Sequence, residues 1–250
     1  LKRDIISAMI YPTAVILIAI IAVAVIMIVV IPQFQQIFMG LLGPGEQLPL
    51  PTRIVVGFSN FLAGWGGLVI LVSVIGSSVG IHFYYKTPGG RKVIDRVLLK
   101  IPILGEIFRK IAVSRFSRTL STLLSSGVPI LQSLDITART SGNVIIEDAI
   151  TKVRAGVERG ESFVEPLKAT EVFPHMVGQM IGIGEQTGAL DAMLGKIADF
   201  YEQEVDAAIA NLLTLIEPLL IGFLGVTIGS IVIAMYLPLF TLIGKLSQTH

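Results

Sequence analysis

Three long apolar stretches interrupt a chain otherwise patterned at helical 3-and-4 spacing, and two of the three are copies of one another. They run over Ile10–Ile31, about Phe61–Tyr85, and about Leu212–Ile243. A helix of roughly 20 residues crosses the ~30 Å hydrocarbon layer, so each is long enough to span a membrane. Ile10-Tyr11-Pro12 opens the first and Ile31-Pro32-Gln33-Phe34 closes it, while Ile216-Glu217-Pro218 and Leu237-Pro238-Leu239-Phe240 do the same 206 residues later. Both prolines and the phenylalanine keep one offset, and a repeated segment implies a repeated unit. A long soluble stretch precedes the second copy but only eleven residues precede Pro12. Residues 1–9 are therefore expected to be the end of a further N-terminal cytoplasmic domain.

The soluble stretch reads as helices throughout. One covers about Arg91–Lys100 and another Ile103–Ser126, with Val113, Phe116, Leu120, Leu123 and Leu124 on one face. Gly127 stops that helix and Pro129 opens the next, to about Thr140. Asn143 is placed to cap a helix ending near Arg159, and Ser162 with Glu165 matches a capping box. Pro174 opens a further helix that Gly188 ends in a left-handed cap. No strand alternation appears. The fold class is therefore all-α: a polytopic membrane protein with three transmembrane helices and a cytoplasmic bundle of about six helices.

The last helix is the unusual one. Leu190, Leu194, Ile197, Tyr201, Val205, Ala208, Leu212 and Leu215 keep helical spacing into the third apolar stretch, with no glycine or proline from Ala208 until Pro218. One helix is expected to run from bundle to membrane, kinked near Pro218. At 1.5 Å per residue, 25 residues make a lever of about 38 Å.

Composition agrees: 53% of the 250 residues are hydrophobic and mean hydropathy is +0.79. Charge sets the orientation. Residues 86–118 hold nine basic and two acidic side chains, whereas the 32–60 segment carries Arg53 and Glu46 as its only charges. Cytoplasmic flanks are rich in Lys and Arg, which places the bundle inside. The organisation expected is transmembrane helix 10–32, periplasmic loop 33–60, transmembrane helix 61–85, cytoplasmic bundle 86–211, transmembrane helix 212–243 and periplasmic tail 244–250. Residues 135–206 reverse the charge balance, with six basic and thirteen acidic side chains. Two readings fit the basic half: anionic lipid contact, and a field complementary to a protein partner.

Candidate chemistry is sparse. Gly182-Ile183-Gly184-Glu185-Gln186-Thr187-Gly188 lacks the lysine of a phosphate loop and follows no strand, so its glycines read as close-packing positions. Glu185, Asp191 and Glu202 are the metal candidates of an acidic region that lacks the ligand spacing of a cation loop, and no metal is expected. No nucleophile–base pair stands out, so no enzyme activity and no cofactor are expected. Glu217 is the acidic residue within a span's sequence, readable as an interfacial anchor or as a group that meets a partner's charged terminus. The spans carry too little buried charge for a pump, and the glycines of the second and third suit tight helix packing.

Several long motifs carry a resemblance. Phe116-Ser117-Arg118-Thr119-Leu120-Ser121-Thr122-Leu123-Leu124-Ser125-Ser126-Gly127-Val128-Pro129 resembles the signature of the inner-membrane platform family of type IV pili and type II secretion. So does Gly184-Glu185-Gln186-Thr187-Gly188-Ala189-Leu190-Asp191, then Phe200-Tyr201-Glu202, then Ile216-Glu217-Pro218 through Tyr236-Leu237-Pro238. Leu134-Asp135-Ile136-Thr137-Ala138-Arg139-Thr140 looks closer to the pilus branch. The resemblance implies a multi-pass protein of the bacterial inner membrane with two homologous cytoplasmic domains. It implies non-enzymatic coupling of a hexameric assembly or retraction ATPase to major and minor pilins, contact with inner-membrane alignment proteins, and self-association, with no nucleic acid. The matching positions expected to matter are Arg115, Arg118, Gly127, Pro129, Glu185, Gly188, Asp191, Tyr201 and Glu202 in the bundle. In the third span they are Glu217, Pro218, Tyr236 and Pro238. Rival expectations are a secretion platform acting on pseudopilins, a transporter or channel component, and a static scaffold.

Overall fold

The structure is a computed structural model describing residues 2–41, 48–170 and 172–246; the expected tail beyond Leu246 and the side chains of residues 1–9 lie outside the described part. Among the described residues every regular element is helical. The helices are α1 (Lys2–Val25), a π-helical turn (Ile26–Val30), α2 (Ile31–Leu41), α3 (Leu50–Ala63), α4 (Trp65–Tyr85) and α5 (Pro88–Lys100). Then follow α6 (Leu104–Ser125), α7 (Ile130–Thr140), α8 (Val144–Glu158), α9 (Val164–Ala169), α10 (His175–Thr187) and α11 (Leu190–Leu246). Three of them, Ile10–Gly40, Trp65–Tyr85 and the apolar part of α11, are long and apolar enough to cross a membrane.

The chain forms two compact units, residues 81–212 and residues 2–80 with 213–250. The first is the helical bundle. Its core joins Val113, Phe116 and Leu120 of α6, Leu134 of α7, Ile146, Ile150 and Val153 of α8, Val177 and Ile181 of α10, and Leu194 and Ile197 of α11. Each fully buried side chain of this size contributes about 1.5–3 kcal/mol relative to exposure, so this apolar seam carries most of the bundle's stability. Turn chemistry arranges the helices around it. Gly127 at φ 80° ends α6, with the Val128 amide donating to the Leu123 carbonyl at 3.0 Å, a geometry that a side chain would strain. Pro129 caps α7, and the Asn143 side chain accepts the Ile145 amide at 2.9 Å at the start of α8. Gly188, at φ 69°, closes α10 as the left-handed cap expected from sequence.

The expected capping box at α9 is different. Glu165 leaves its place to Glu185 of α10, which accepts Ser162 Oγ at 2.7 Å and the Phe163 amide at 3.0 Å. A carboxylate from a neighbouring helix thus satisfies the amide end of a helix too short to do so itself.

In the second unit the stretch 33–60, expected as a periplasmic loop, is helical at 33–41 and 50–60 among its described residues. The helical path of the first span continues through Pro32, which comes just after the π-helical turn, where the ladder already departs from the i→i−4 pattern that proline cannot complete. Phe38 in α2 is 2% exposed and stacks obliquely on Phe34 at 6.1 Å. Pro49 and Pro51 open α3. Met27, Ile31, Val56 and Ile231 form this unit's buried cluster, which joins the π-helical turn, α2, α3 and α11.

Candidate functional site

Motif residues of the bundle converge on the seam between α6 and the first turns of α11. Arg118 is presented outward from α6, one residue after the fully buried Ser117. Its Nε donates to Glu202 Oε1 at 3.0 Å and its Nη2 to Glu202 Oε2 at 2.9 Å, a two-point fork, and Nη2 also pairs with Asp199. Planar guanidinium and carboxylate match in this way, which fixes rotation as well as distance. The Glu202 hydrogen bond, then that of Asp199, hold the guanidinium further above its already high pKa. Two turns earlier on α6, Lys110 Nζ reaches Glu204 at 2.9 Å and Glu106 at 3.1 Å, and the Glu204 bond raises its pKa against the opposing effect of burial. Tyr201 lies between these anchors, 6% exposed, its ring edge-on to Phe200 at 5.4 Å. Ser121 Oγ donates to the Asp191 carbonyl at 2.8 Å. The first four turns of α11 are thereby bound to α6, apolar within and polar at the rim.

The remaining bundle positions make contacts within the bundle or turn its backbone. Arg115 Nη1 donates to the Ser141 carbonyl at 3.4 Å and covers Gly142, where a Cβ would stand 2.6 Å from it. Glu185 caps α9, as described. Gly184 lies where a Cβ would meet the Leu190 Cα at 3.0 Å, so a side chain there would press α11 away by a few tenths of an ångström. The three metal candidates are not brought together: Glu185 is spent on Ser162 and Phe163, Glu202 on Arg118, and Asp191 contributes its carbonyl. Among the described residues no cluster of three or more His, Cys, Asp or Glu could hold a metal.

In the second unit, Glu217 lies beside a cavity of about 130 Å³ lined by Tyr11, Pro12 and Val15 of α1 and by Leu213, Ile216, Leu220, Ile221 and Leu224 of α11. Tyr11-Pro12 and Glu217-Pro218 hold equivalent places in the repeat, so the two copies meet at the same end. The lining is otherwise apolar, which leaves the carboxylate and the phenol as its polar features. Pro218 is exposed, Pro238 is buried, and α11 continues as helix through both. Tyr236 is 56% exposed.

Two groups of functional interest escaped the sequence reading. Asp95 of α5 is 2% exposed; it accepts the Tyr85 hydroxyl at 3.2 Å and the Val144 amide at 2.8 Å, so it ties the end of α4 to the start of α8. In α3, buried Thr52 donates to the Ala234 carbonyl and buried Ser59 to that of Met27 in the π-helical turn. A wide i+5 turn loosens the backbone ladder and offers such a carbonyl. The available signal was the seven-residue spacing of two small hydroxyls, which puts both on one face of a helix.

Comparison with known proteins adds the relationship. The family model of type II secretion system protein F matches residues 116–238. The type IV pilus assembly proteins PilC of Myxococcus xanthus and Thermus thermophilus are 48% and 46% identical over 98% and 99% of this chain, which covers 58% and 60% of their lengths. The type II secretion system protein F of Pseudomonas aeruginosa is 32% identical over 96% of the chain and 58% of its own length. The chain thus spans about 60% of the curated relatives it matches. With its helical bundle, three apolar helices and near-complete alignment to these proteins, the chain belongs to the family of type II secretion system protein F and its pilus-assembly relatives.

Proposed function

We propose that the chain is the larger part of a non-enzymatic platform of a type IV pilus machine in the bacterial inner membrane. In this reading residues 86–211 face the cytoplasm and take up movement from a hexameric ATPase, and the spans hand pilin subunits into or out of a filament. The observation that carries the reading is α11, one helix of 57 residues whose first turns are clamped to α6 and whose later turns form an apolar span. A continuous helix transmits a rotation or shift that a flexible linker would absorb. The cavity beside Glu217 is then the place where the spans receive the cationic end of an apolar subunit, the carboxylate supplying the counter-charge. Secretion service with pseudopilins is the neighbouring alternative; the higher identity to pilus proteins favours the pilus.

Affinity purification of the tagged protein from native membranes, followed by mass spectrometry, tests this directly. A hexameric ATPase and pilins should co-purify, and a label placed at Gly142 should be shielded from reagents added outside the inner membrane. Solute flux through the reconstituted protein, with no ATPase or pilin recovered, would establish the transporter reading instead.

A further inference from the structure

Helix α5 begins after two intervening residues beyond the apolar helix α4, and it leaves two of its five apolar side chains in the open. Its inward face is Gly90, the buried Asp95 and the half-buried Ile94, Leu98 and Leu99. Outward it presents Val93 and Val97, 50% and 53% exposed, interleaved with exposed Arg96 and Lys100. The elbow that follows continues the theme. Ile103 is 55% exposed and adopts φ 68°, a left-handed backbone that a β-branched residue rarely accepts, and Phe108 beyond it is 39% exposed. The acidic exception in this stretch, Glu106, is already paired with Lys110 at 3.1 Å. Elsewhere in the bundle the large exposed apolar side chains past this elbow are Ile183 and Phe200, single residues 17 positions apart rather than a row interleaved with Lys and Arg.

Exposed apolar side chains alternating with Lys and Arg match the two layers of a lipid surface, acyl chains below and phosphates above. The start of this unit supplies continuity. Phe83 and Tyr84 at the end of α4 are exposed aromatics of the kind found at the headgroup level, and the Tyr85 hydroxyl bound to Asp95 at 3.2 Å fixes α5 to that end. We propose that the outer face of α5 and the Pro102–Leu104 elbow form a docking surface for anionic lipid. Val93, Val97 and Ile103 enter the acyl boundary, and Arg96 and Lys100 take phosphate groups. The anchor holds the bundle's first helix to the membrane surface, whatever the bundle assembles with.

The chain contains no cysteine, so single labels are unambiguous. Val97→Cys and, as reference, Ile183→Cys would each carry an environment-sensitive fluorophore in protein reconstituted into phosphatidylcholine vesicles with or without phosphatidylglycerol. Acyl-brominated lipid should quench the label at 97 severalfold more than that at 183 when phosphatidylglycerol is present, and Arg96→Glu with Lys100→Glu should abolish the difference. Equal, low quenching at both positions in both vesicles would overturn the proposal. So would quenching at 97 that is indifferent to phosphatidylglycerol and to the charge reversal. Shielding of the label only after addition of a cytosolic protein fraction would overturn it in favour of a protein contact.

Discussion

Glu185 stands in the middle of a recognisable motif, yet its work is to cap the start of a helix 22 residues earlier in the chain. Truncating it leaves the Phe163 amide and the Ser162 hydroxyl unpaired at the start of α9, a loss of about 0.5–2 kcal/mol for a helix cap. Glu185→Ala should therefore lower the melting temperature of the bundle, while Glu165→Ala, whose side chain is 74% exposed, should leave it nearly unchanged. Thermal unfolding followed by circular dichroism measures both. Equal effects would restore the local capping box. The contrast also marks what single residues disclose before a structure is seen. Gly188, Pro129 and Asn143 act on backbone within a few positions of themselves, so their roles were legible as sequence. Glu185 and the Arg118–Glu202 fork act across 22 and 84 positions, and spacing along one helix carries no sign of them.

At the scale of elements, the length of one apolar run placed α4, and 3-and-4 spacing with glycine, proline and asparagine stops placed α5 through α10 within a few residues. The segment 33–60 was less legible. Lying between two long apolar runs, it is expected as a periplasmic loop, whereas α3 is held by two buried hydroxyls that reach backbone carbonyls on either side. Polar anchoring of that kind leaves no hydrophobic period. It also gives a prediction. Ser59→Ala removes the donor to Met27 in the π-helical turn and leaves a buried carbonyl unpaired, at a cost of about 0.5–2 kcal/mol for an interhelical bond in an apolar setting. Ser73→Ala, on the exposed face of α4, serves as the control and should be neutral. Resistance of the detergent-solubilised protein to thermal aggregation reads the difference, and identical curves would mean that the hydroxyl does not hold α3 in place.

For the whole molecule the decisive question is whether α11 acts as one body. Glu202 and Glu204 fasten its early turns to α6, and the apolar span begins near Leu212, so the intervening turns are the only stretch that must stay stiff for movement to pass. Ala208 sits there, half-buried between the last ionic anchor and the span. Ala208→Pro deletes one backbone hydrogen bond and clashes with the preceding turn, costing about 3 kcal/mol or more in a helix interior. The helix already carries Pro218 and Pro238 farther along, so insertion of the span should tolerate another proline. The bundle core of Phe116, Ile150 and Ile181 lies on other helices and stays intact. Under the coupling reading, the variant accumulates normally and still recruits its ATPase, because the bundle surface is unchanged, but surface filaments fall sharply. ATPase pull-down, immunoblot of membranes and filament counts in one strain separate the cases. A joint loss of protein and recruitment would point to misfolding, which Ala208→Gly, with its smaller penalty of about 1 kcal/mol, would then resolve by restoring abundance while still weakening assembly. Normal filament numbers at normal abundance would show that α11 is not the coupling element and that the membrane part works as a static scaffold.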